Sequence, residues 1–406
     1  MSEKRAKRSD PYIEDVGSQT TGDLIYLDHA ATTAMRPEAV AAMQPYLSGL
    51  FANPSGSHRF ARQARQVLDE ARDAVAGVLG CLPGEVIFNG GGTEGDNAAI
   101  LGAVRRLNGH AVCSAAEHHA VLHCVEYCAK DGRGTVVGVD QFGAIDLEQL
   151  ESVLVGLTAR DIVPVVSVMA VNNEVGSITP LADVSRLVRR VAPRAVLHTD
   201  AVQAACWLDL AEITRLVDVL TLSSHKFGGP KGVGVMYLRN GVQLEPLILG
   251  GGQERDRRSG THNVAGIAAT AAALVATAGQ REVECHRVAE LRDRLVLGLE
   301  AFGGIAATLP ASATVPGIAH LCVEGVENEA LLYLLDESNL CASAASACAS
   351  GAMEPSHVLA AMGVPRERAM GALRLSLGHA TTSNEVSRAV DIVGSAVRRL
   401  RERARP

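Results

Sequence analysis

The residue with the most chemical promise is Lys226, in the run Ser223-Ser224-His225-Lys226-Phe227-Gly228-Gly229-Pro230-Lys231-Gly232, directly after the apolar stretch Val217–Leu222. Small residues and glycines let a backbone crowd a ligand. A lysine held dry has a depressed pKa and can form a Schiff base with an aldehyde; a lysine in a solvated glycine-rich loop is the plain alternative. Asp200, 26 positions earlier (226 − 200), stands in His198-Thr199-Asp200-Ala201-Val202-Gln203 after another apolar stretch, Ala195–Thr199. It reads either as a helix N-cap or as a carboxylate beside a ligand, and the two readings are compatible.

An aldehyde for the lysine and a ring nitrogen for the carboxylate are what pyridoxal phosphate (PLP) carries, and a carboxylate keeps that nitrogen protonated. Gln203 can donate to the ring's phenolic oxygen. A phosphate site is then needed, and Asn89-Gly90-Gly91-Gly92-Thr93-Glu94 supplies one where a strand meets a helix. Its backbone N–H groups, including that of Gly92, the Thr93 hydroxyl and the helix N-terminus all favour an anion. No Gly-Lys-Ser/Thr follows, so it is not a Walker loop.

Two further residues invite a role. Arg374 lies in the mostly apolar run Leu373–Gly378. A buried arginine needs an anion, supplied by a substrate carboxylate gripped through two parallel bonds or by an internal salt bridge. Cys348 lies in Ala345-Ser346-Ala347-Cys348-Ala349-Ser350-Gly351, ahead of Glu354-Pro355-Ser356-His357. Such small flanks build little core, so a mobile nucleophilic thiol is expected there, whereas Cys341 is expected to pack on a strand. Cys113, His118, His119, His123, Cys124 and Cys128 form a rival, metal-like group. Their spacing matches no paired Cys-x-x-Cys pattern, and no metal is expected.

These residues must be positioned by a larger frame. Strands are predicted at Glu85–Asn89, Ala111–Ser114, Thr135–Val139, Val163–Val171, Ala195–Thr199, Val217–Leu222 and Gly232–Leu238, with helices such as Thr93–Leu107, His119–Lys130, Leu147–Leu157 and Leu181–Val191 between them. The alternation predicts an α/β domain on a mainly parallel sheet, with its site at the carboxyl ends of the strands. Beyond residue 280 a helix (Cys285–Ala301), a strand (Gly317–Val323), a helix (Asn328–Glu337), a short strand near Leu340, a strand (Leu373–Leu377) and a helix (Asn384–Arg403) predict a smaller α+β domain.

Composition narrows the class. The 406 residues carry a net charge of −7 and only 3% aromatics, which disfavours nucleic acid and anionic membrane as partners. No run is apolar enough to cross a bilayer. Nine cysteines, an odd number, argue for a reducing, cytoplasmic setting rather than a disulfide framework. The polar residues 1–23 are expected to be a disordered tail.

Further motifs run in order: Ile25-Tyr26-Leu27-Asp28-His29-Ala30-Ala31-Thr32-Thr33, Asn53-Pro54-Ser55-Gly56-Ser57-His58, Thr93-Glu94-Gly95-Asp96-Asn97, Glu117-His118-His119-Ala120-Val121-Leu122, Val171-Asn172-Asn173-Glu174-Val175-Gly176 and Arg258-Ser259-Gly260-Thr261. With the lysine and aspartate runs, they resemble the PLP-dependent cysteine desulfurases of the nitrogenase and iron–sulfur-assembly class, from about Ile25 to about Arg388. The resemblance implies the PLP-dependent transferase fold type I, with a seven-stranded sheet in a large domain (36–280) and a small domain (24–35 and 281–406) carrying the cysteine loop. It implies that Lys226 binds the cofactor covalently, that Asp200 and Gln203 hold its ring, that His118 stacks on the ring and moves protons, and that Thr93, Ser223 and His225 bind the phosphate. Asn173 and Arg374 would hold the substrate carboxylate, and Cys348 would take sulfur from L-cysteine as a persulfide. Thr261 matches a threonine that reaches the partner subunit's phosphate, which implies a homodimer.

The chain departs from the family at Ala345 and Asp256, where glycine is usual, and it ends in arginines soon after its last helix, so scaffold docking by a C-terminal extension is not expected. The sulfur acceptor is therefore open among iron–sulfur assembly, tRNA thiolation, DNA sulfur modification and a biosynthetic sulfur carrier. A selenocysteine lyase or another PLP-dependent transferase would keep Lys226 and Asp200. A PLP-binding regulatory subunit would have no use for Arg374 and Cys348.

Overall fold

The computed structural model describes residues 24–344 and 355–403, so Cys348, the expected N-terminal tail and Ala345 lie outside the described residues. Seven strands form the central sheet: β2 (Val86–Asn89), β3 (His110–Ser114), β4 (Gly134–Val137), β5 (Pro164–Ser167), β6 (Val196–Asp200), β7 (Val219–Ser223) and β8 (Gly234–Leu238), after a short β1 (Ile25–Tyr26) that belongs elsewhere. Their order is β2-β8-β7-β6-β5-β3-β4, and only β8 runs antiparallel to its neighbours. This is the mainly parallel seven-stranded α/β sheet expected.

The strands read as continuous apolar runs because both faces are covered. Alternate side chains enter different cores: Phe88, Val112, Val166, Leu197 and Leu220 face one, and Ile87, Ala111, Val165, Val196 and Val219 the other. The first core also takes Leu68 and Val75 from the helix Arg59–Leu79, and Val184 and Val188 from Leu181–Val191; the second takes Ile100 and Val104 from Gly92–Leu107, and Val121 and Val125 from His119–Ala129. Burying one such aliphatic side chain contributes about 1.5–3 kcal/mol. Helix starts are fixed locally, as where Asp146 accepts hydrogen bonds from the Glu148 and Gln149 amides.

A smaller body follows. Strands β9 (Ile305–Ala307), β10 (Ile318–Val323) and β12 (Ala372–Ser376) form an antiparallel sheet with β10 in the middle, while β11 (Leu340–Cys341) pairs in parallel with β1. Leu27, Leu321, Leu373 and Leu375 share its core with Leu331 of the helix Asn328–Glu337 and Val393 of Ser383–Arg403. β1 thus carries residues from the start of the chain into the body built from its end.

The predicted helix Cys285–Ala301 is a correction: it is the second half of one 37-residue helix, Val264–Glu300. Val264 to Leu274 pack in the first core of the sheet, and Val288 to Leu299 in the small body. The expected domain division after residue 280 falls inside this helix. No described helix is long and apolar enough to cross a membrane.

Candidate active site

The carboxyl ends of β2, β6 and β7 and the turns after them converge on a cavity of about 270 Å³. Ten of the residues singled out in the sequence line it: Gly92, Thr93, His118, Asn173, Asp200, Gln203, Ser223, His225, Lys226 and Arg374. Thr261 does not; it is exposed, on a loop whose Ser259 amide donates to the Ile248 carbonyl.

Asp200 closes β6, and its Oδ1 accepts from the Val202 amide at 2.8 Å. The following residues form turns rather than an α-helix, so the N-cap reading is replaced by a local Asx turn. Burial pushes its pKa up to about 6, against the Val202 hydrogen bond and the charge of Lys226. It is therefore mostly ionised at neutral pH. Lys226 lies one 3₁₀ turn beyond β7. Its Nζ donates to the carbonyls of Ala30 and Ala31 at 2.5 and 2.8 Å. Burial first, then the Arg374 charge, lower its pKa to about 8, with Asp200 and Asp28 opposing. The Gln203 amide donates to the same Ala30 carbonyl at 2.6 Å.

His118 caps the helix His119–Ala129, its Nδ1 accepting from the Ala120 amide at 3.1 Å. A neutral ring with Nδ1 accepting carries its proton on Nε2. Although the residue is open to solvent, desolvation and then Lys226, with His119, His357 and His123, push its pKa down to about 4. On the phosphate side, Gly92 opens the helix Gly92–Leu107, and a Cβ there would come within 2.8 Å of Val202. Only glycine lets this helix N-terminus approach the turn after Asp200 so closely. His225 is held by the Thr32 hydroxyl at 3.0 Å.

Arg374, on β12, is almost fully buried. Its Nη1 donates to the Asn173 carbonyl (2.8 Å), its Nη2 pairs with Asp28 (2.7 Å), and its Nε has no acceptor among the described residues. The internal salt bridge and an open donor therefore coexist in one guanidinium.

Sequence reasoning missed three carboxylates. Asp28, Asp96 and Glu117 each stand in one of the ordered motifs without a role of their own. Asp96, in the cavity lining, and Glu117 are buried, and their pKa values are pushed well up by burial and by the negative charge of Asp200. One oxygen of each accepts no hydrogen bond among the described residues, although Asp96 Oδ1 lies 3.5 Å from His198 Nε2. The raised pKa favours the neutral form of both and leaves Asp200 the more readily ionised acid. His198, fully buried between Ser167 (2.8 Å) and Thr221 (3.0 Å), has its pKa lowered to about 3 by burial and is neutral too. No signal in the sequence separates these residues from solvated ones.

The rival metal-like group does not converge. Cys113, Cys124 and Cys128 are buried in the sheet-side core, while His119 stacks on His123 (4.8 Å) and leans on His357 (4.5 Å). Among the described residues no set of three or more His, Cys, Asp or Glu side chains is disposed to hold a metal ion.

Residues 25–389 match the family model described as Aminotransferase class-V, and the chain belongs to that family. Within it the similarity runs to the cysteine desulfurases. The "Cysteine desulfurase IscS" of Methanosarcina thermophila is 38% identical over 388 residues, covering 94% of each chain. Among solved structures, a "NIFS-like protein" superposes with a TM-score of 0.85 at 33% identity, covering 92% of this chain and 99% of its own. The structure described as "SspA in complex with cysteine" reaches 0.73 at 30% identity, covering 87% and 98%.

Proposed function

We propose that this protein is a PLP-dependent cysteine desulfurase that converts L-cysteine to L-alanine and keeps the sulfur as a persulfide on Cys348. The observation that carries this reading is the convergence of Lys226, Asp200 and Arg374 on one cavity. The donor set fits the cofactor: a buried carboxylate, a lysine of lowered pKa, and a glycine-opened helix N-terminus beside Thr93, Ser223 and His225. Asp200 would hold the ring nitrogen, Gln203 the phenolic oxygen, His118 the ring face, and Gly92, Thr93, Ser223 and His225 the phosphate. Bound there, PLP supplies a sink for the electron pair released at the substrate's Cα.

The chain's own residues do the rest. Arg374, through its open Nε, and Asn173 fix the substrate carboxylate and so orient the Cα–H bond. Lys226 Nζ, neutral above about pH 8, takes the Cα proton. The Cys348 thiolate attacks the substrate sulfur: an S–S bond forms, the Cβ–S bond breaks, and its electron pair stays with carbon. Protonation at carbon completes alanine, and His118, with its pKa lowered to about 4, would relay that proton rather than store it. Carbon is reduced and the two sulfurs oxidised, so no outside oxidant is needed. A sulfur-acceptor protein then takes the persulfide.

A homodimer belongs to the same reading. Thr261 is exposed rather than in its own chain's cavity, and its loop is tied to Ile248, beside Leu249, which is 80% exposed. Eight described cysteines are unpaired, in keeping with a reducing cytoplasm.

The test is Cys348→Ser. The variant should bind PLP and change its visible spectrum on adding L-cysteine, yet release no alanine, and brief treatment of the wild type should leave one extra sulfur on the Cys348 peptide. Cys341→Ser should behave as wild type. Alanine formation at the wild-type rate by Cys348→Ser would overturn the assignment. Alanine from L-selenocysteine alone would turn it toward a selenocysteine lyase.

A further inference from the structure

A second cavity, about 40 Å³, shares the wall formed by Ala30, Gln203 and Lys226 with the candidate active site but opens between the sheet body and the small body. Part of its lining is apolar, from Val202, Trp207, Phe227, Ile318 and Leu377. The charged part is dominated by cations, Arg36, Arg281 and Lys226, and His29 and His379 also line it. Arg281 is already neutralised by Asp209 at 2.7 Å, and the lining carboxylate, Glu284, is held by Arg287 at 2.7 Å.

Arg36 is different. It is 5% exposed, and its only side-chain hydrogen bond among the described residues runs from Nη1 to the neutral amide oxygen of Gln280 at 2.7 Å. Its Nε is buried without an acceptor, and no carboxylate among the described residues pairs with it. The stem is locked in place: Gly228 has φ +84°, and a Cβ there would lie 2.5 Å from Arg36 Cγ. A guanidinium cannot shed its proton to escape burial, so a dry one calls for an anion. The Nε–Nη2 edge, for which no acceptor is found among the described residues, is the edge that grips a carboxylate by two parallel bonds. A second unsatisfied atom, Nδ1 of the buried His29, belongs to the same lining.

We propose that this cavity is a separate binding site for a short-chain monocarboxylate, its carboxylate on Arg36 and its alkyl end among Trp207, Ile318 and Leu377. The size sets the class: the cavity has room for roughly three waters, or for a carboxylate with a carbon or two attached. The occupant would touch Arg36 on the sheet body and the Gly378–His379 segment that follows β12. Gln203 and Lys226 line this cavity too, but Arg36, the group that would hold the carboxylate, has no part in the desulfurase reading.

Trp207 is the only tryptophan in the chain, so its fluorescence reports on this cavity directly. PLP-loaded full-length protein is titrated with formate, acetate, propionate, hexanoate and inorganic phosphate, against sodium chloride at matched ionic strength, following Trp207 emission and melting temperature. Acetate or propionate should give a saturable emission change and a raised melting temperature, with hexanoate excluded by size. A phosphate response equal to that of propionate overturns the carboxylate assignment, and a response no different from chloride overturns the site. Arg36→Met should lose the saturable change, while melting no lower than wild type in carboxylate-free buffer, because a buried unpaired charge has been removed. A persisting response in that variant overturns the proposal. Should Arg36→Met fail to fold, saturation-transfer NMR on the wild type decides: magnetisation must pass from the protein to the propionate protons and be lost on adding excess acetate, and its absence overturns the site.

Discussion

Lys226 and Asp200 stood out as residues because each ends an apolar run, and strand ends are where α/β sheets gather their chemistry. What the sequence could not convey was the company they keep. Asp28, Asp96 and Glu117 are three acids among 45; only packing buries Asp96 and Glu117 and brings Asp28 against Arg374. The lowered pKa of Lys226 makes its neutral form accumulate as pH rises through about 8. Capture of PLP by the apo protein should therefore accelerate between about pH 7 and 9 and then level off, as stopped-flow absorbance would report; a pH-independent rate would remove the lysine from that step. Arg374 already spends two of its nitrogens on Asn173 and Asp28, so its role rests on geometry and not on charge alone. Arg374→Lys keeps the charge and loses the fork. It should raise KM for cysteine by about 10–100-fold, the loss of one charge-assisted hydrogen bond of about 1.5–3 kcal/mol, with PLP affinity unchanged. Loss of PLP with an unchanged KM would assign Arg374 to the fold instead.

Among the elements, strands were legible wherever β-branched residues cluster, and the predicted spans of β2 to β8 differ from those observed mainly at their ends. The segment from Val264 to Gly279 was not legible as helix, because alanines and small residues all around it leave no polar face to set a period. The loop between β8 and that helix was flagged by Asp256, where relatives of the resembled family usually carry glycine. The structure gives the reason: Glu254, Arg255 and Asp256 have φ of 49°, 60° and 61°, three successive left-handed residues without a glycine. The strained turn is held by Glu254. Burial alone would raise its pKa, but hydrogen bonds from His262, Arg72 and the Phe88 amide, with the Arg72 charge, bring it down to about 2. A carboxylate lowered in this way stabilises fully above its unfolded pKa, about 4.5, and loses that contribution as pH falls toward 2. Glu254→Gln should cost about 3 kcal/mol at pH 7, and the gap from wild type should shrink progressively below pH 4.5, as urea titrations at several pH values would measure. A gap unchanged at pH 3 would mean that the charge is not what holds the turn.

For the whole molecule, the seven-stranded sheet and the presence of a smaller α+β body were readable from the order of predicted elements, but the join between the two bodies was not. The helix Val264–Glu300 enters both cores without a break, and Gly279 lies in its interior with nothing within 4 Å of where a Cβ would stand. Gly279→Ala should stabilise the protein by about 0.5–1 kcal/mol, and calorimetry should show the entire transition moving upward together. If only part of a split transition moved, the two cores would be melting separately. A continuous helix of this length resists bending, so it transmits torque as a loaded shaft does. Any swing of the small body must therefore take the helix as its axle, and β12, carrying Arg374, must travel with it.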